Sequence, residues 1–174
     1  MTASEVFESV TGSGSSDFAI LVRILNTHGS WCLIGGLAVN CYVEPVYTLD
    51  ADIVVVSAEL PAIRNELVVA GFSIDEFPHS LNAKMAGSDL RIQFSLDSRY
   101  QDFLQRAHTV EVLGQQVPVA SLPDVVRGKI WAWSDEKRRA TKLKKDELDL
   151  MRILEAYPET RESMPEEIKI QVPE

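Results

Sequence analysis

The chain has 174 residues, of which 45% are hydrophobic and 25% are charged, as is typical of one globular domain with its own hydrophobic core. A formal net charge of −9 at pH 7 argues against a protein that coats nucleic acid non-specifically. The two cysteines have no disulfide or metal-ligand spacing, and neither a signal peptide nor a membrane-spanning apolar run is visible, so a cytoplasmic protein is expected.

A Gly- and Ser-rich stretch, residues 12–16, precedes the first predicted helix and is interpreted as a flexible joint. Ser16 or Asp17 would cap that helix. The predicted division of the chain is a single domain at 1–157, with a core at about 17–120 and C-terminal helices at about 121–157, and an acidic tail or loosely packed arm at 158–174.

The next elements are a short apolar strand, residues 31–34, and a short helix after Gly35-Gly36. Residues 51–56 are apolar except for Asp52, which is typical of a central strand covered on both faces. The sequence further predicts a helix at 60–70, strands at 72–77, 81–86 and 90–96, a helix at 100–106, a hairpin at 110–119, and helices at 121–133 and about 136–157. Strands and helices mix without strict alternation, so the expected fold class is α+β or α/β, with a mixed β-sheet flanked by helices.

The glycine pair and the two acids that follow it carry the first chemical signal. Gly35 and Gly36 lie where a strand turns into a helix, so backbone amides could face phosphate oxygens, and the missing side chains would allow close approach. Asp50 and Asp52 are two residues apart on a predicted strand, so both side chains project from the same face. Adjacent carboxylates on a buried sheet are costly unless they bind cations or lie at a wet edge, and Mg²⁺ is a cation that suits oxygen ligands.

Each half of this pattern also has an ordinary explanation. A glycine pair is usually a turn, and Asp-x-Asp at the start of a strand is usually a cap or a solvated loop. The combination is more specific, because a strand, a glycine bend, a helix and an acid pair opening the next strand together indicate a site for phosphate and metal. If the two acids pointed apart, or lay far from the glycines, this interpretation would not stand.

Basic residues are concentrated in one part of this acidic chain. Eight of the 17 lysines and arginines lie between Arg127 and Lys145. A local cationic surface of this kind suits a polyphosphate or one region of an RNA. A solvated helix face with lysines that favour the helix dipole explains the same pattern equally well.

The order of motifs resembles the nucleotidyltransferase superfamily and, within it, the bacterial AbiEii-type, toxin-associated branch and its small relatives. The resemblance covers residues 31 to about 157. The first matching residues are Gly35, Gly36, Thr48, Asp50 and Asp52. The second match consists of Lys129 with the three residues after it, followed by Lys145, Asp146 and Asp149.

The resemblance implies a nucleotidyltransferase-like fold that transfers a nucleotidyl group from a nucleoside triphosphate, with Mg²⁺, to a hydroxyl on RNA, protein or a small molecule. It also implies a place in a toxin–antitoxin or defence system, with a cognate antitoxin or other partner protein and no membrane. By this resemblance Asp50 and Asp52 are catalytic metal ligands. The residues that contact the nucleotide are Gly35, Gly36, Thr48 and Lys129.

The second match assigns roles to one lysine and one acid. Lys129 lies on a predicted helix that could reach a triphosphate with a fixed charge. Asp146 would either hold that lysine or orient the incoming hydroxyl as a base. Asp149 falls on the same helix face one turn later. The ordinary alternative is an exposed Lys129 and two surface acids at i and i+3.

Two departures from the family pattern keep other functions open. Val46 stands where active members commonly carry an arginine, two residues before the matched threonine. A third carboxylate is expected from the strand at 90–96, whose polar face carries Arg91, Gln93 and Ser95. A degenerate fold that binds nucleotide, RNA or protein without turnover is therefore the alternative function. A structural partner in a two-gene pair, acting through surface contacts alone, is a third.

Overall fold

The computed structural model describes residues 12–173. Its strands are β1 (Trp31–Ile34), β2 (Asp50–Val55), β3 (Ser73–Phe77), β4 (Ser80–Lys84), β5 (Arg91–Ser95), β6 (His108–Val112) and β7 (Gln115–Val119). Its α-helices are α1 (Gly14–Leu25), α2 (Gly35–Val39), α3 (Leu60–Val69), α4 (Leu122–Trp133), α5 (Ala140–Ala156) and α6 (Glu166–Gln171). Short 3₁₀ segments lie at Ser57–Glu59, Ser98–Gln105 and Pro158–Ser163.

The strands form one mixed sheet in the order β3-β4-β5-β2-β1-β7-β6. Strand β2 pairs antiparallel with β1 and parallel with β5. Strand β1 also pairs in parallel with β7, and the remaining neighbours are antiparallel. The predicted mixed sheet with flanking helices is confirmed, and it places the acid-bearing strand β2 at its centre.

Burial in the core explains why the pattern of apolar residues differs between β1 and β5. All four residues of β1 are buried, as expected for a strand covered on both faces. Strand β5 alternates, because Ile92 and Phe94 are buried while Arg91 and Gln93 are exposed. Helix α1 packs against α3 and β7, and α4 packs against both α5 and α2. The polar face of β5 is therefore left for the site described below.

Two helix starts differ from the sequence prediction. Helix α1 begins at Gly14, inside the stretch interpreted as a joint, because the backbone N–H of Asp17 donates to the Ser13 carbonyl and the Ser13 hydroxyl contacts the Asp17 carboxylate. Helix α5 begins at Ala140 rather than near residue 136. The backbone amides of Lys137 and Arg138 donate to Asp135, and these two hydrogen bonds form a turn before the helix.

The C-terminal segment is ordered against the domain, which corrects the predicted loose tail. Met164, Ile168 and Val172 are buried, at spacings of four residues among exposed acids. Both the 3₁₀ segment and α6 contact α5, and Arg161 Nη1 donates to the carbonyl of Val172 at 2.8 Å. The acidic composition of this segment hid a short apolar stripe. Within the described part of the chain, no helix is both long and apolar enough to cross a membrane.

Candidate active site

The turn from β1 into α2 places the Asp52 side chain against a glycine. The two strands pair so that Ile34 lies opposite Asp52, and Gly35 follows directly. Gly35 has φ +67°, a left-handed conformation that residues with a side chain rarely adopt. A Cβ atom at this position would lie 2.2 Å from Oδ2 of Asp52. The position therefore requires glycine, and the acid lies directly at the glycine bend.

Replacing Gly35 by alanine is expected to destabilise the protein more than the same change at Gly29. Gly29 has φ +72° and no atom within 4 Å of an added Cβ, so Gly29→Ala costs only the backbone strain, about 1 kcal/mol. Gly35→Ala adds the overlap with Asp52, and we expect a loss of at least ~2 kcal/mol. Urea unfolding compares the two variants. Equal losses would show that the carboxylate moves aside without cost.

The other acid, Asp50, is held by cations of the protein through both of its oxygens. Arg91 Nε donates to Oδ1 at 2.7 Å, and Lys142 Nζ donates to Oδ2 at 2.6 Å. Burial raises the pKa of Asp50, but the Lys142 hydrogen bond and the charges of Lys142, Arg91 and Lys145 outweigh burial and hold that pKa below its usual range. Asp50 is therefore ionised and fully paired.

Asp52 has the opposite environment. Among residues 12–173, none makes a direct hydrogen bond or ion pair with its carboxylate. Burial raises the pKa of Asp52, and the charge of Asp50 raises it further against the opposing charges of Lys129, Lys142 and Arg138. Ala51 between the two acids is buried while both acids are half-buried, so they share one face of β2. Asp52 is thus a carboxylate whose charge still needs a partner.

The third carboxylate of the family pattern is absent from β5. In the parallel pairing of β2 with β5, Asp52 lies opposite Gln93 and Asp50 lies opposite Arg91. Within the described residues, no group of three or more His, Cys, Asp or Glu could hold a metal ion. A single Mg²⁺ commonly takes one or two carboxylates together with phosphate oxygens of a ligand. The donors around Asp52 fit one such ion that arrives with phosphate, and they do not fit two.

Beside Asp50 lies a small cradle made by Gly36, Thr48 and Lys145, called the hydroxyl–lysine cradle below. A Cβ atom on Gly36 would lie 3.5 Å from Thr48 Oγ1 and 3.8 Å from Lys145 Nζ. Lys145 Nζ donates to Thr48 Oγ1 at 3.1 Å, and Thr48 is buried. Burial lowers the pKa of Lys145, partly offset by the charge of Asp50. A hydroxyl and an ammonium beside a glycine, which has no side chain of its own, are suitable donors for a phosphate group.

Lys129 is a buried lysine between two buried acids. Its Nζ lies 2.9 Å from Asp146 Oδ1 and 2.6 Å from Asp149 Oδ2. Burial lowers the pKa of Lys129, but the charges of Asp149 and Asp146 outweigh burial and raise it. Arg138 contacts the second oxygen of Asp146, and Arg152 contacts the second oxygen of Asp149. The network joins α4 to α5 across the back of the site.

This geometry distinguishes the two roles considered for Asp146. Both of its oxygens are occupied by cations, so the contacts favour an acid that holds Lys129 over a base that accepts a proton. Asp52 and Lys129 nevertheless line the same pocket of about 100 Å³, between the sheet and α4. Gln93 and Tyr100 line it as well.

Most of the basic residues between Arg127 and Lys145 pair with acids of the protein itself. Lys129 and Arg138 contact Asp146 in the buried lysine network, and Lys142 contacts Asp50 in the site. Arg127 pairs with Asp124 and Lys144 pairs with Glu147. Neutralisation of the protein's own acids therefore accounts for much of the predicted cationic surface. An RNA contact through this stretch stays a proposal.

Sequence reasoning gave no role at the site to Arg91, Lys142 or Lys145, although Lys145 stood in the second match. The signal for the two lysines was present, because residues 142, 145, 146 and 149 fall at positions i, i+3, i+4 and i+7 and so share one face of a helix. The pairing of Arg91 with Asp50 depended on the register between β2 and β5, which the sequence does not specify.

The comparisons with known proteins agree with this geometry at the level of the fold. No protein-family model matches the chain, and no curated protein matches its sequence. Among solved structures, an antigenic nucleotidyltransferase-like protein from Paracoccidioides brasiliensis is 18% identical, with a TM-score of 0.55 over 83% of this chain and 77% of that one. ANT(2")-Ia in complex with adenylyl-2"-tobramycin is 11% identical, with a TM-score of 0.55 over 90% and 92%.

A third solved structure with the same fold is the lincosamide antibiotic adenylyltransferase LnuA, bound to lincomycin. It is 14% identical to this chain, with a TM-score of 0.53 over 76% of this chain and 92% of that one. At these identities the likeness concerns the fold and not the substrate. The chain has a nucleotidyltransferase fold.

Proposed function

We propose that the protein is a nucleotidyltransferase that moves a nucleotidyl group from a nucleoside triphosphate to a hydroxyl acceptor, with Mg²⁺ held at Asp52. The observation that carries this proposal is the position of Asp52, an unpaired carboxylate seated against the Gly35 bend. In such a transfer the acceptor oxygen bonds to the α-phosphorus as the bond to the pyrophosphate oxygen breaks. Positioning and charge neutralisation supply most of this catalysis, so a few residues suffice.

Each part of the site receives a role in this proposal. The hydroxyl–lysine cradle of Gly36, Thr48 and Lys145 would bind phosphate oxygens of the triphosphate. Asp52 would hold the ion, joined by Asp50 when one of the Asp50 ion pairs opens. When bound, Mg²⁺ would neutralise negative charge on the phosphates.

The lysine network has a supporting role. Lys129, held by Asp146 and Asp149, would fix the position of α4 against α5 and place a positive charge near Asp52. Lys129 would thus act on the nucleotide through its field and through the shape of the pocket, since its ammonium already has two partners. Asp146 would be the residue that positions this lysine.

We also propose a narrower family and a biological role for the protein. The residue matches around Gly35, Asp50 and Lys129 support the AbiEii-type branch, and with it a toxin–antitoxin or defence role and a cognate antitoxin or partner protein. RNA, a protein side chain and a small molecule are the acceptor classes. The antibiotics named with the solved neighbours make a small-molecule hydroxyl a concrete acceptor to assay.

A degenerate binding module is the second candidate function. It is favoured by the two cations that occupy Asp50 and by Gln93 at the position expected for a third carboxylate. In this alternative the same pocket and cradle would hold a nucleotide, or a phosphate of RNA, without turnover. A conserved architecture with a changed site is compatible with this function.

Calorimetric titration with each of the four ribonucleoside triphosphates, with and without Mg²⁺, tests the proposal. We expect one nucleotide to bind at least ~10-fold more tightly with Mg²⁺, because the ion couples Asp52 to the phosphates. Lys145→Ala should weaken this binding about 10-fold, whereas Lys144→Ala, which removes an exposed neighbouring lysine, should not. Metal-independent binding with no transfer of a radiolabelled nucleotide would instead support the binding module.

A further inference from the structure

The two acids of β2 differ in how their carboxylates are paired. Asp50 has a cation on each oxygen, within 2.7 Å, whereas Asp52 has no direct partner among the described residues. A divalent ion that bridges both acids needs an oxygen of Asp50. The charge of Asp50 is free for such an ion to the extent that Lys142 or Arg91 releases it.

The two partners of Asp50 differ in how freely they can leave. Arg91 lies on β5, directly opposite Asp50 in the strand register, so the strand pairing keeps the Arg91 Cα beside this acid although its side chain is more than half exposed. Lys142 lies in the first turn of α5 and reaches Asp50 only through its flexible four-carbon stem. Rotation of that stem would release Oδ2 of Asp50 without any change in the backbone. Lys142 is therefore the partner that can exchange.

A second acceptor for the Lys142 ammonium would lie nearby when a triphosphate is bound. Lys145, one turn further along the same helix, reaches Thr48 in the hydroxyl–lysine cradle. Because residues three apart share a helix face, Lys142 and Lys145 approach the site from the same side. A phosphate chain between the cradle and Asp50 would thus pass within reach of both ammonium groups.

We propose that Lys142 is an exchangeable counter-ion, which pairs with Asp50 in the free protein and transfers to the triphosphate when the nucleotide binds. The inference rests on the proposed function and adds a nucleotide-binding residue to it. An ammonium at 2.6 Å from Oδ2 of Asp50 and a divalent ion on the same carboxylate repel each other. Without nucleotide the lysine therefore weakens metal binding, and with nucleotide it strengthens phosphate binding. The exchange makes triphosphate and metal bind cooperatively.

The test measures two affinities separately in the full-length protein. Mn²⁺ binding without phosphate is followed by electron paramagnetic resonance, and binding of inorganic triphosphate in EDTA is followed by calorimetry. We expect Lys142→Met to bind Mn²⁺ ~10-fold more tightly and triphosphate ~10-fold more weakly than wild type. Lys142→Gln should shift both affinities in the same directions, and Lys144→Met should change neither.

The opposite signs of the two shifts identify the exchange, because a variant that loses its fold would bind both ligands more weakly. The inference is overturned if Lys142→Met and Lys142→Gln fold and leave Mn²⁺ affinity unchanged or lower, or leave triphosphate affinity unchanged. In that case wild-type binding of both ligands would keep the proposed function intact. If wild-type protein binds neither Mn²⁺ nor triphosphate, the inference and the proposed function both fail.

Discussion

Asp52→Asn is expected to lower nucleotidyl transfer by more than ~100-fold without loss of the fold, because it removes the unpaired carboxylate that would hold the metal. The amide nearly matches the carboxylate in size, so contact with Gly35 is kept. Transfer is measured with a radiolabelled triphosphate, and unfolding is measured in urea. Asp75→Asn, on the exposed edge strand β3, is the matched control and should leave both unchanged.

The same variant makes a stability prediction with a definite sign. The pKa of Asp52 is raised above its ordinary value of 3.8, so the folded protein binds this proton more tightly than the unfolded chain. The contribution of Asp52 to wild-type stability therefore falls as the pH rises from about 3.8 through the raised pKa. Asp52→Asn lacks this loss and should be at least as stable as wild type at neutral pH. Equal transfer by both proteins, or a destabilised variant, would contradict the assignment.

Lys129→Met is expected to destabilise the protein by about 3 kcal/mol, because it leaves two buried carboxylates with one cation each. Asp146 and Asp149 are both 1% exposed, and only Arg138 and Arg152 would remain to neutralise them. The free energy of unfolding in urea measures the loss. Nucleotide affinity at a temperature where the variant is folded should fall less than ~10-fold, since the ammonium is already paired.

A double variant separates charge from packing in this network. Lys129→Met with Asp149→Asn removes one buried charge of each sign, so its loss should be smaller than the sum of the two single losses by more than ~1 kcal/mol. Additive losses would show that the Lys129 contact has little energetic weight. A Lys129→Met variant as stable as wild type but unable to bind nucleotide would restore the role predicted from the sequence, a lysine that contacts the triphosphate.

The fold was predictable where the sequence has strong periodicity. The alternation of Ile92 and Phe94 with polar neighbours predicts β5, and the apolar run after Asp52 predicts a central strand. The structure has both strands at these residues. Predictions of where a helix begins were less accurate, because contacts at the helix end decide its first residue. The Ser13–Asp17 contacts move the start of α1, and the stripe of Met164, Ile168 and Val172 was hidden among acids.

For the site, the sequence predicted which elements meet but not which charges pair. Gly35 and Asp52 lie together because β1 ends at Ile34, which pairs antiparallel with Asp52 near the start of β2. The cations on Asp50 come from residues 41 and 92 positions away in the chain. Such pairs depend on strand register and helix placement, which one sequence does not reveal. The charge balance of the site is therefore visible only in the folded structure.

We expect phosphate and a divalent ion to bind between Asp52 and the cradle of Gly36, Thr48 and Lys145. A crystal structure of the protein with Mn²⁺ and a non-hydrolysable triphosphate, phased near the manganese edge, tests this expectation most directly. We expect one anomalous peak between the Asp52 carboxylate and a phosphate oxygen, with a phosphate also within hydrogen-bond distance of Lys145. A triphosphate bound elsewhere on the surface, or manganese distant from Asp52, would contradict it.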